Sequence, residues 1–487
     1  MEAGYHSLIA PLTDFLWTYV LAFVLIGAGI YFSVVTRFVQ IRHFPTMLST
    51  LMGSRSSAEG GISSFQAFAI GLSSRVGTGN IAGVAIALTL GGPGAVFWMW
   101  IVALLGMATA FVEATLAQVF KIPGPQRTFI GGPAYYLQRG LGSRRWGLVF
   151  AAMFVFTFGV AFSMVQANTI ADVVGATGLA TREAIAVGLA VLLAPVLFGG
   201  LKRVARLAEV VMPVLAALYL ILALLIIVLN IGRFGEVLRT IVSSAFGLNQ
   251  ALAGLAGGIT AAVLNGAKRG LFSNEAGMGS APNTAATATT PHPANQGFLQ
   301  SMGVFVDTMF VCTATAFIVL LGGVYVAGKT GEEAGATLTI DSMTAQLGTW
   351  IGPVMTVLVF LFAFSSIMGN YAYAEMNVDF LGGRRRGLHA LRIVMLLSAM
   401  IGALIALKAV WLVADLAMGL MALINLVAIV RLGRWATGAL RDWERQNKLG
   451  GKPVFDPRST DLPRALDSDA WRPAHREPVI GEPLHTP

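Results

Sequence analysis

Cysteine is all but missing from this sequence: Cys312 stands alone among 487 residues. An internal disulfide framework is thereby excluded, as are most thiolate metal sites. Charge is scarce too, with Asp, Glu, Lys and Arg making up 12% of the chain. A soluble domain with so few charges cannot clothe its own surface, so its solvent must be largely lipid. There is no His-Glu-x-x-His pair and no Gly-x-Ser-x-Gly elbow. The histidines (His6, His43, His292, His389, His475 and His485) fall in loops, helix ends or the C-terminal tail. An intramembrane enzyme would want a metal or nucleophile constellation, and none is present.

What is abundant is apolar: 56% of residues are hydrophobic and the mean hydropathy is +0.73. A bilayer core needs roughly 20 apolar residues per helical span, and such stretches follow one another almost end to end. The pattern predicts an all-α polytopic membrane protein with about eleven spans. They fall near 14–36, 63–90, 95–120, 147–174, 184–200, 207–230, 251–280, 297–326, 348–380, 388–407 and 409–432. The first stretch, Phe15 to Val35, follows Glu2 and Asp14 rather than a basic region. It is also too long for a signal-peptide core, and reads as a retained span. The many glycines (56) suit helices that pack closely through small residues. Beyond Arg434 the chain turns polar and proline-rich (Lys452, Pro453, Asp456, Pro457, Pro463, Pro473), which predicts an extended, partly disordered tail.

The net charge of +9 is a matter of topology rather than of nucleic acid. One set of alternate loops carries Arg37, Arg42 and Arg55; Lys121, Arg127, Arg139, Arg144 and Arg145; and Lys202, Arg203 and Arg206. It continues with Arg384, Arg385, Arg386 and Arg392, then Arg431, Arg434, Arg441 and Arg445. The opposite loops hold only Arg182, Arg233, Arg239, Lys329 and Lys408, beside Glu332, Glu333 and Asp341. The positive-inside rule places the N-terminus outside and the tail in the cytoplasm. An odd number of spans agrees.

Two spans are interrupted alike. The second carries Val76-Gly77-Thr78-Gly79-Asn80 in mid-membrane, and the seventh carries Phe272-Ser273-Asn274-Glu275-Ala276-Gly277-Met278-Gly279. Each glycine costs roughly 1 kcal/mol of helix propensity relative to alanine, and the polar neighbours need partners that lipid cannot give. Irregular backbone at this depth survives only when buried or lining a cavity. The bland alternative is that the Gly79 to Gly83 spacing merely packs helices. Two such segments five spans apart suggest an inverted repeat around a central binding site. Freed amides at a half-helix N-terminus bind a carboxylate, and freed carbonyls bind a cation. A zwitterionic amino acid with a monovalent cation satisfies both.

These motifs, together with Ser63-Ser64-Phe65-Gln66-Ala67, Gly91-Gly92-Pro93-Gly94, Phe97-Trp98-Met99-Trp100 and Gly131-Gly132-Pro133, resemble the alanine or glycine:cation symporter family. The likeness runs from about residue 14 through the last span and takes in Pro453-Val454-Phe455-Asp456-Pro457 of the tail. It implies sodium, or sometimes proton, symport of alanine or glycine on the leucine-transporter fold, with sodium as coupling ion and no cofactor. That fold would divide the chain into an extra N-terminal helix (14–36), two inverted five-helix repeats (62–230 and 251–434) and a cytoplasmic tail (435–487). By the same resemblance, the amides of Thr78 and Gly79 would hold the substrate carboxylate, with Gly77 in the same substrate site. Gln166, Phe272, Ser273 and Asn274 would line the rest of the pocket; for Gln166 a helix–helix hydrogen bond is the equal alternative. The carbonyls of Ser73 and Val76, the amide oxygen of Asn80, the Phe362 carbonyl and the hydroxyls of Ser365 and Ser366 would surround sodium. Serines can instead back-bond within their own helix. Asn370 stands where many relatives have tryptophan, which leaves the pocket size open.

The other intramembrane charges, Arg75, Glu113, Lys268, Arg269, Glu275, Asp307 and Asp415, should pair or reach water. Arg75, Arg269 and Glu275 suit gating or structural ion pairs, and Asp307 suits a structural role. Gly323-Val-Tyr-Val-Ala-Gly328-Lys329-Thr330 matches a P-loop literally but ends a span instead of following a strand. The expected partners are thus the lipid bilayer of the cytoplasmic membrane, a small amino acid and sodium, with no protein partner implied. An uncoupled channel is the rival outside the enzymes, and counterflow of labelled alanine separates it from a carrier.

Overall fold

A computed structural model describes residues 2–54, 62–124, 128–247, 258–326, 335–383, 385–466 and 468–471. Arg55, Arg127, Lys329, Glu332, Glu333, Arg384, Pro473, His475 and His485 lie outside those residues. So do 251–257, at the head of the expected second repeat, and 327–330 of the P-loop-like run.

Among the described residues, eight helices are long and apolar enough to cross a membrane. They supply the first span (Ile9–Val35), the third (Gly94–Val119), the fourth (Arg144–Gly175) and the sixth (Arg206–Leu229). They also supply the eighth (Pro293–Leu321), ninth (Ile351–Phe380), tenth (Arg385–Leu404) and eleventh (Leu407–Lys448). The remaining three expected spans are built from shorter helices. The fifth is Arg182–Leu197; the second is Ser64–Arg75 and then Gly79–Gly91; the seventh is Ile259–Asn274 and then Ala281–Thr287.

Local chemistry explains the breaks. Ser63 opens the second span with a reciprocal cap, its hydroxyl accepting from the Gln66 amide at 3.1 Å while Gln66 Oε1 accepts from the Ser63 amide at 3.1 Å. That helix stops at Arg75 because Val76 is extended (φ −79°, ψ 95°). In the seventh span the Asn274 side chain accepts from the Ala276 amide at 3.0 Å and turns the chain out of the helix. Glu275, Gly277 and Gly279 then take left-handed backbone, at φ 57°, 91° and 84°. For Glu275 that conformation costs about 1–2 kcal/mol, so something else must hold it.

Lipid gives helices no hydrophobic reason to associate, so contact is made by fit. A Cβ on Gly402 would lie 2.5 Å from Met164 Cα, which shows how closely the tenth and fourth spans approach. The two broken spans occupy the centre, and every residue from 67 to 88 and from 269 to 288 is buried. Several of the basic loops gather on one face with the C-terminal segment. Arg42 and His43 meet Glu444 at 2.8 and 2.9 Å, and Arg144 lies over the Phe380 ring.

The C-terminal region differs from the sequence expectation. The last helix does not stop near residue 434 but continues to Lys448. Residues beyond it are no loose tail as far as Trp471. Phe455, Leu462, Ala470 and Trp471 are buried against the bundle. Each large side chain removed from water contributes roughly 1.5–3 kcal/mol, enough to offset the ordering of the polar residues between them.

Candidate functional site

The broken spans touch at Gly79. A Cβ there would lie 2.9 Å from the Phe272 ring and 3.2 Å from Ser273 Cα. At Gly83 the nearest atom is Trp411 Cη2, at an ordinary 3.7 Å. The close packing of the Gly79–Gly83 pair is confined to Gly79, which is tight against the helix leading into the other break, while Gly83 is not.

Beside this contact Gly77 donates to Asn80 Oδ1 at 2.9 Å, and the Thr78 amide reaches Gln166 Oε1 at a long 3.4 Å. A Cβ on Gly77 would collide with Ser366 Oγ. The second, fourth and ninth spans thus meet around one backbone turn. The hydroxyls of Thr78 and Ser366 are buried and have no protein partner. Buried polar groups are nearly always satisfied, so two orphans facing one turn mark the place for a polar ligand.

The serine pair divides. Ser365 donates to the Phe362 carbonyl at 2.8 Å within an unbroken helix, the back-bonding alternative. A donated proton still leaves both hydroxyl lone pairs for a cation. Ser73 likewise donates to the Ile70 carbonyl at 2.8 Å, and its side chain sits where the ninth span passes, at Gly369. Val76, extended at the helix end, has its carbonyl outside the regular ladder.

Asn80 faces two ways. Besides accepting from Gly77, it donates from Nδ2 to Ser273 Oγ at 2.8 Å and to Asp307 Oδ1 at 2.7 Å. Ser273 donates in turn to Asp307 Oδ2 at 2.7 Å, and Thr308 to the same oxygen at 3.1 Å. Asp307 thus bonds to both breaks. Its sequence signal, an acid in an apolar run without a nearby base, was present but silent on what it meets. Asn274 is turned away, donating to Thr308 at 3.2 Å while its oxygen holds the turn.

On one side aromatic rings cover the site. Phe272 stands 4.5 Å from both Phe162 and Trp411, and the Arg269 guanidinium lies 4.3 Å over Trp411 while pairing with Asp415 at 2.5 Å. On the side toward the C-terminal face, Glu275 accepts from Ser74 at 2.9 Å, Ser280 at 2.6 Å and Tyr373 at 3.3 Å. Arg75 stands 3.9 Å away. These bonds hold Glu275 in its left-handed backbone. Ser74 also faces Asn370 Oδ1 at 2.9 Å, but with one proton it serves one acceptor at a time, and the buried Asn370 Nδ2 has no partner. Glu113 accepts from the Gly277 amide at 3.1 Å and from Asn425 at 2.8 Å, anchoring the seventh-span break from a third direction.

Three carboxyl groups, Glu113, Glu275 and Asp307, lie fully buried with a single guanidinium, Arg75, among them. Ionised carboxylates in such surroundings demand a cation or a proton. No group of three or more His, Cys, Asp or Glu side chains fit to hold a metal occurs among the described residues. What the site offers is oxygen from amides, carbonyls, hydroxyls and one carboxylate, a donor set suited to a hard cation.

Residues 2–457 match the sodium:alanine symporter family. The chain is 45% identical over 477 residues to the amino-acid carrier protein AlsT of Bacillus subtilis, covering 98% of this chain and 100% of that one. It is 43% identical to the probable sodium/glutamine symporter GlnT of the same organism, over 93% of this chain and 94% of the relative. The sodium/alanine symporter AgcS of Methanococcus maripaludis is 36% identical, over 88% and 94%. Among solved structures, MhsT in complex with L-phenylalanine superposes with a TM-score of 0.53 at 14% identity, covering 76% of this chain and 89% of that one. That likeness shows a shared fold.

Proposed function

The chain belongs to the sodium:alanine symporter family, and on that premise we propose that it moves a small neutral amino acid, alanine or glycine, inward with sodium by alternating access. The observation that carries this reading is the oxygen-rich junction of the two breaks. Two orphaned hydroxyls, Thr78 and Ser366, lie on one side and the Asn80–Ser273–Asp307 lattice on the other.

The substrate carboxylate sits on the amides of Thr78 and Gly79, beside Gly77 and at the start of the half-helix that runs to Gly91, where backbone dipoles favour negative charge. Gln166 lies over the same amides; its long bond to Thr78 yields to a carboxylate oxygen at little cost. Phe272 and Ser273 close the pocket from the seventh span, and Asn274 supports it from behind. One sodium takes the carbonyls of Ser73, Val76 and Phe362 with the hydroxyls of Ser365 and Ser366. Asn80 and Asp307 attract positive charge at the far end of the turn. Sodium thereby links an unwound segment to the intact ninth span, and at 100 mV each charge brings about 2.3 kcal/mol to the cycle.

The positive-inside pattern supports an N-terminus outside and a C-terminal face in the cytoplasm of the cytoplasmic membrane. The extra helix 14–36, the repeats 62–230 and 251–434, and a region from 435 onward are the corresponding division. The test is uptake of labelled alanine, glycine, serine and glutamine into proteoliposomes in sodium, lithium or choline media. Sodium-dependent accumulation of alanine or glycine is the expected result. Equal uptake in choline at constant pH would remove sodium as the coupling ion.

A further inference from the structure

The transport chemistry above makes no use of the C-terminal segment, yet that segment is fastened to the one place where the broken spans meet on their shared face. The last helix has 42 residues, about 63 Å at 1.5 Å per residue, roughly twice a bilayer core. Its end therefore stands clear of lipid. The chain turns at Gly450 (φ 77°) and comes back along it. Gln446 pins the returning strand by two bonds of 2.9 Å to the Val454 backbone, and Ser459 donates to Asp442 at 2.9 Å.

What this segment covers is a junction. Ala288, just past the seventh span, forms an isolated parallel bridge with Ile62, just ahead of the second, and the Thr289 amide donates to the Ile62 carbonyl at 3.1 Å. From the other side the Phe455 amide donates to the Pro291 carbonyl at 2.9 Å. Trp471 donates from Nε1 to the Gln118 carbonyl at 3.2 Å, and its ring stacks edge-on to Phe455 at 4.9 Å. Lys121 lies 4.4 Å over the Trp471 ring and donates to the Ala288 carbonyl at 3.2 Å. Opening the site toward this face requires the ends of the broken spans to part, and Trp471 and Phe455 hold one of those ends to the third span.

We propose that residues 453–466 and 468–471 act as a strap across the adjoining ends of the broken spans, the start of the second and the end of the seventh, with Trp471 and Phe455 as the positioning residues that set how often the site opens to that face. The inference rests on the alternating-access reading. The chain supplies its own reporter: Cys312, the sole cysteine, is buried within the site, 3.3 Å from Asn80 Nδ2 and 3.1 Å from Ser273 Oγ.

The experiment measures the rate at which a charged, membrane-impermeant methanethiosulfonate modifies Cys312 in the full chain, in sealed vesicles of either orientation, without substrate. Trp471→Ala and Phe455→Ala should each raise the rate from the C-terminal face roughly tenfold, equivalent to about 1.4 kcal/mol. The rate from the opposite face should stay as in the parent. Trp471→Phe, which keeps a ring against Phe455 and Lys121, should lie near the parent. Gln446→Ala frees the strap at its other end without emptying the buried contact, and should give the same one-sided rise if an alanine variant at Trp471 fails to fold. Unchanged rates in folded variants, or equal rises from both faces, would overturn the strap. Because no substrate is present, a one-sided rise in a protein that fails the uptake test would leave the strap standing and reject the transport reading alone.

Discussion

Replacing Gly79 by alanine adds a single carbon at the tightest point between the two breaks. The backbone conformation is no obstacle, since no left-handed φ occurs there. The cost is contact. The new Cβ would sit 2.9 Å from the Phe272 ring and 3.2 Å from the Ser273 Cα. The ring is held between Phe162 and Trp411 at 4.5 Å each, and Ser273 is bonded to Asp307 at 2.7 Å, so neither neighbour yields freely. Overpacking of this kind costs about 1–3 kcal/mol. If that energy falls on the bound, closed state, alanine transport should drop by roughly 5- to 150-fold, and Gly79→Val should abolish it. Gly83→Ala, one turn along the same helix, meets nothing nearer than 3.7 Å and should transport as the parent does. The assay is initial uptake of labelled alanine into proteoliposomes at saturating sodium, normalised to protein inserted. Parent-like uptake by Gly79→Ala, or an equal loss in Gly83→Ala, refutes the claim that close approach of the two breaks makes the site.

The double variant Ser365→Ala, Ser366→Ala should raise half-saturating sodium by roughly 5- to 150-fold, an unmet oxygen ligand costing about 1–3 kcal/mol. Alanine affinity at saturating sodium should change far less, and an unmoved sodium curve would take both serines out of the ion cage. Asp307→Asn removes the one carboxylate that joins both breaks. It should weaken sodium activation by about 10- to 100-fold, as for loss of a charged partner, and intact sodium activation would return Asp307 to a structural role. On the C-terminal face, burial pulls His292 below its ordinary value of 6.5, against the opposing pull of the Asp442 carboxylate. Its Nδ1 accepts from the Ala294 amide at 3.1 Å and so cannot carry a proton there. A depressed folded-state value means the cap is fully present above pH 6.5 and is lost as pH falls below it. Detergent-solubilised protein should therefore lose about 1 kcal/mol on moving from pH 7.5 to pH 5, seen as a lower melting temperature. His292→Gln should flatten that dependence; a parent as stable at pH 5 as at 7.5 contradicts the cap.

The breaks were legible because glycines and asparagines close together in an apolar run disfavour an unbroken helix, and the fold breaks at both Val76–Asn80 and Phe272–Gly279. Gly402 and Gly79 also do what small residues in a bilayer should. Asp307 was harder. Its meaning depends on Asn80, 227 positions away, and no periodicity links the two. The serine pair read as one unit, yet the helix gives one hydroxyl a carbonyl and leaves the other unpaired, a distinction of about 100° around the axis. The strap was illegible for a different reason. Phe455, Leu462 and Trp471 stand singly among prolines and charges, and nothing in their spacing says that a waiting surface will bury them. The helix from 435 to 448 hid behind its polarity, although it contains no proline and only Gly438 to interrupt it.

Three helical stretches at the site share one irregularity: Thr157–Phe162 and Val306–Cys312 are wound as π-helix inside α-helical spans, and Gly79–Gly83 is wound so at the start of its half-helix, just after the break. Such a turn holds a surplus residue while the helix on either side keeps its phase. Deletion tolerance should follow from this. Excising one residue from the straight third span would rotate everything beyond it by about 100° and mismatch a whole face. Excising one residue from a π turn would let it relax to α-helix with both flanks still in register, or, at Gly79–Gly83, with the following half-helix still in register against the break. Asn80 and Asp307, proposed above to attract the coupling ion, lie in two of these turns. A shortened chain could therefore keep its packing and lose its cargo, which makes these three turns the places where architecture and transport can be cut apart.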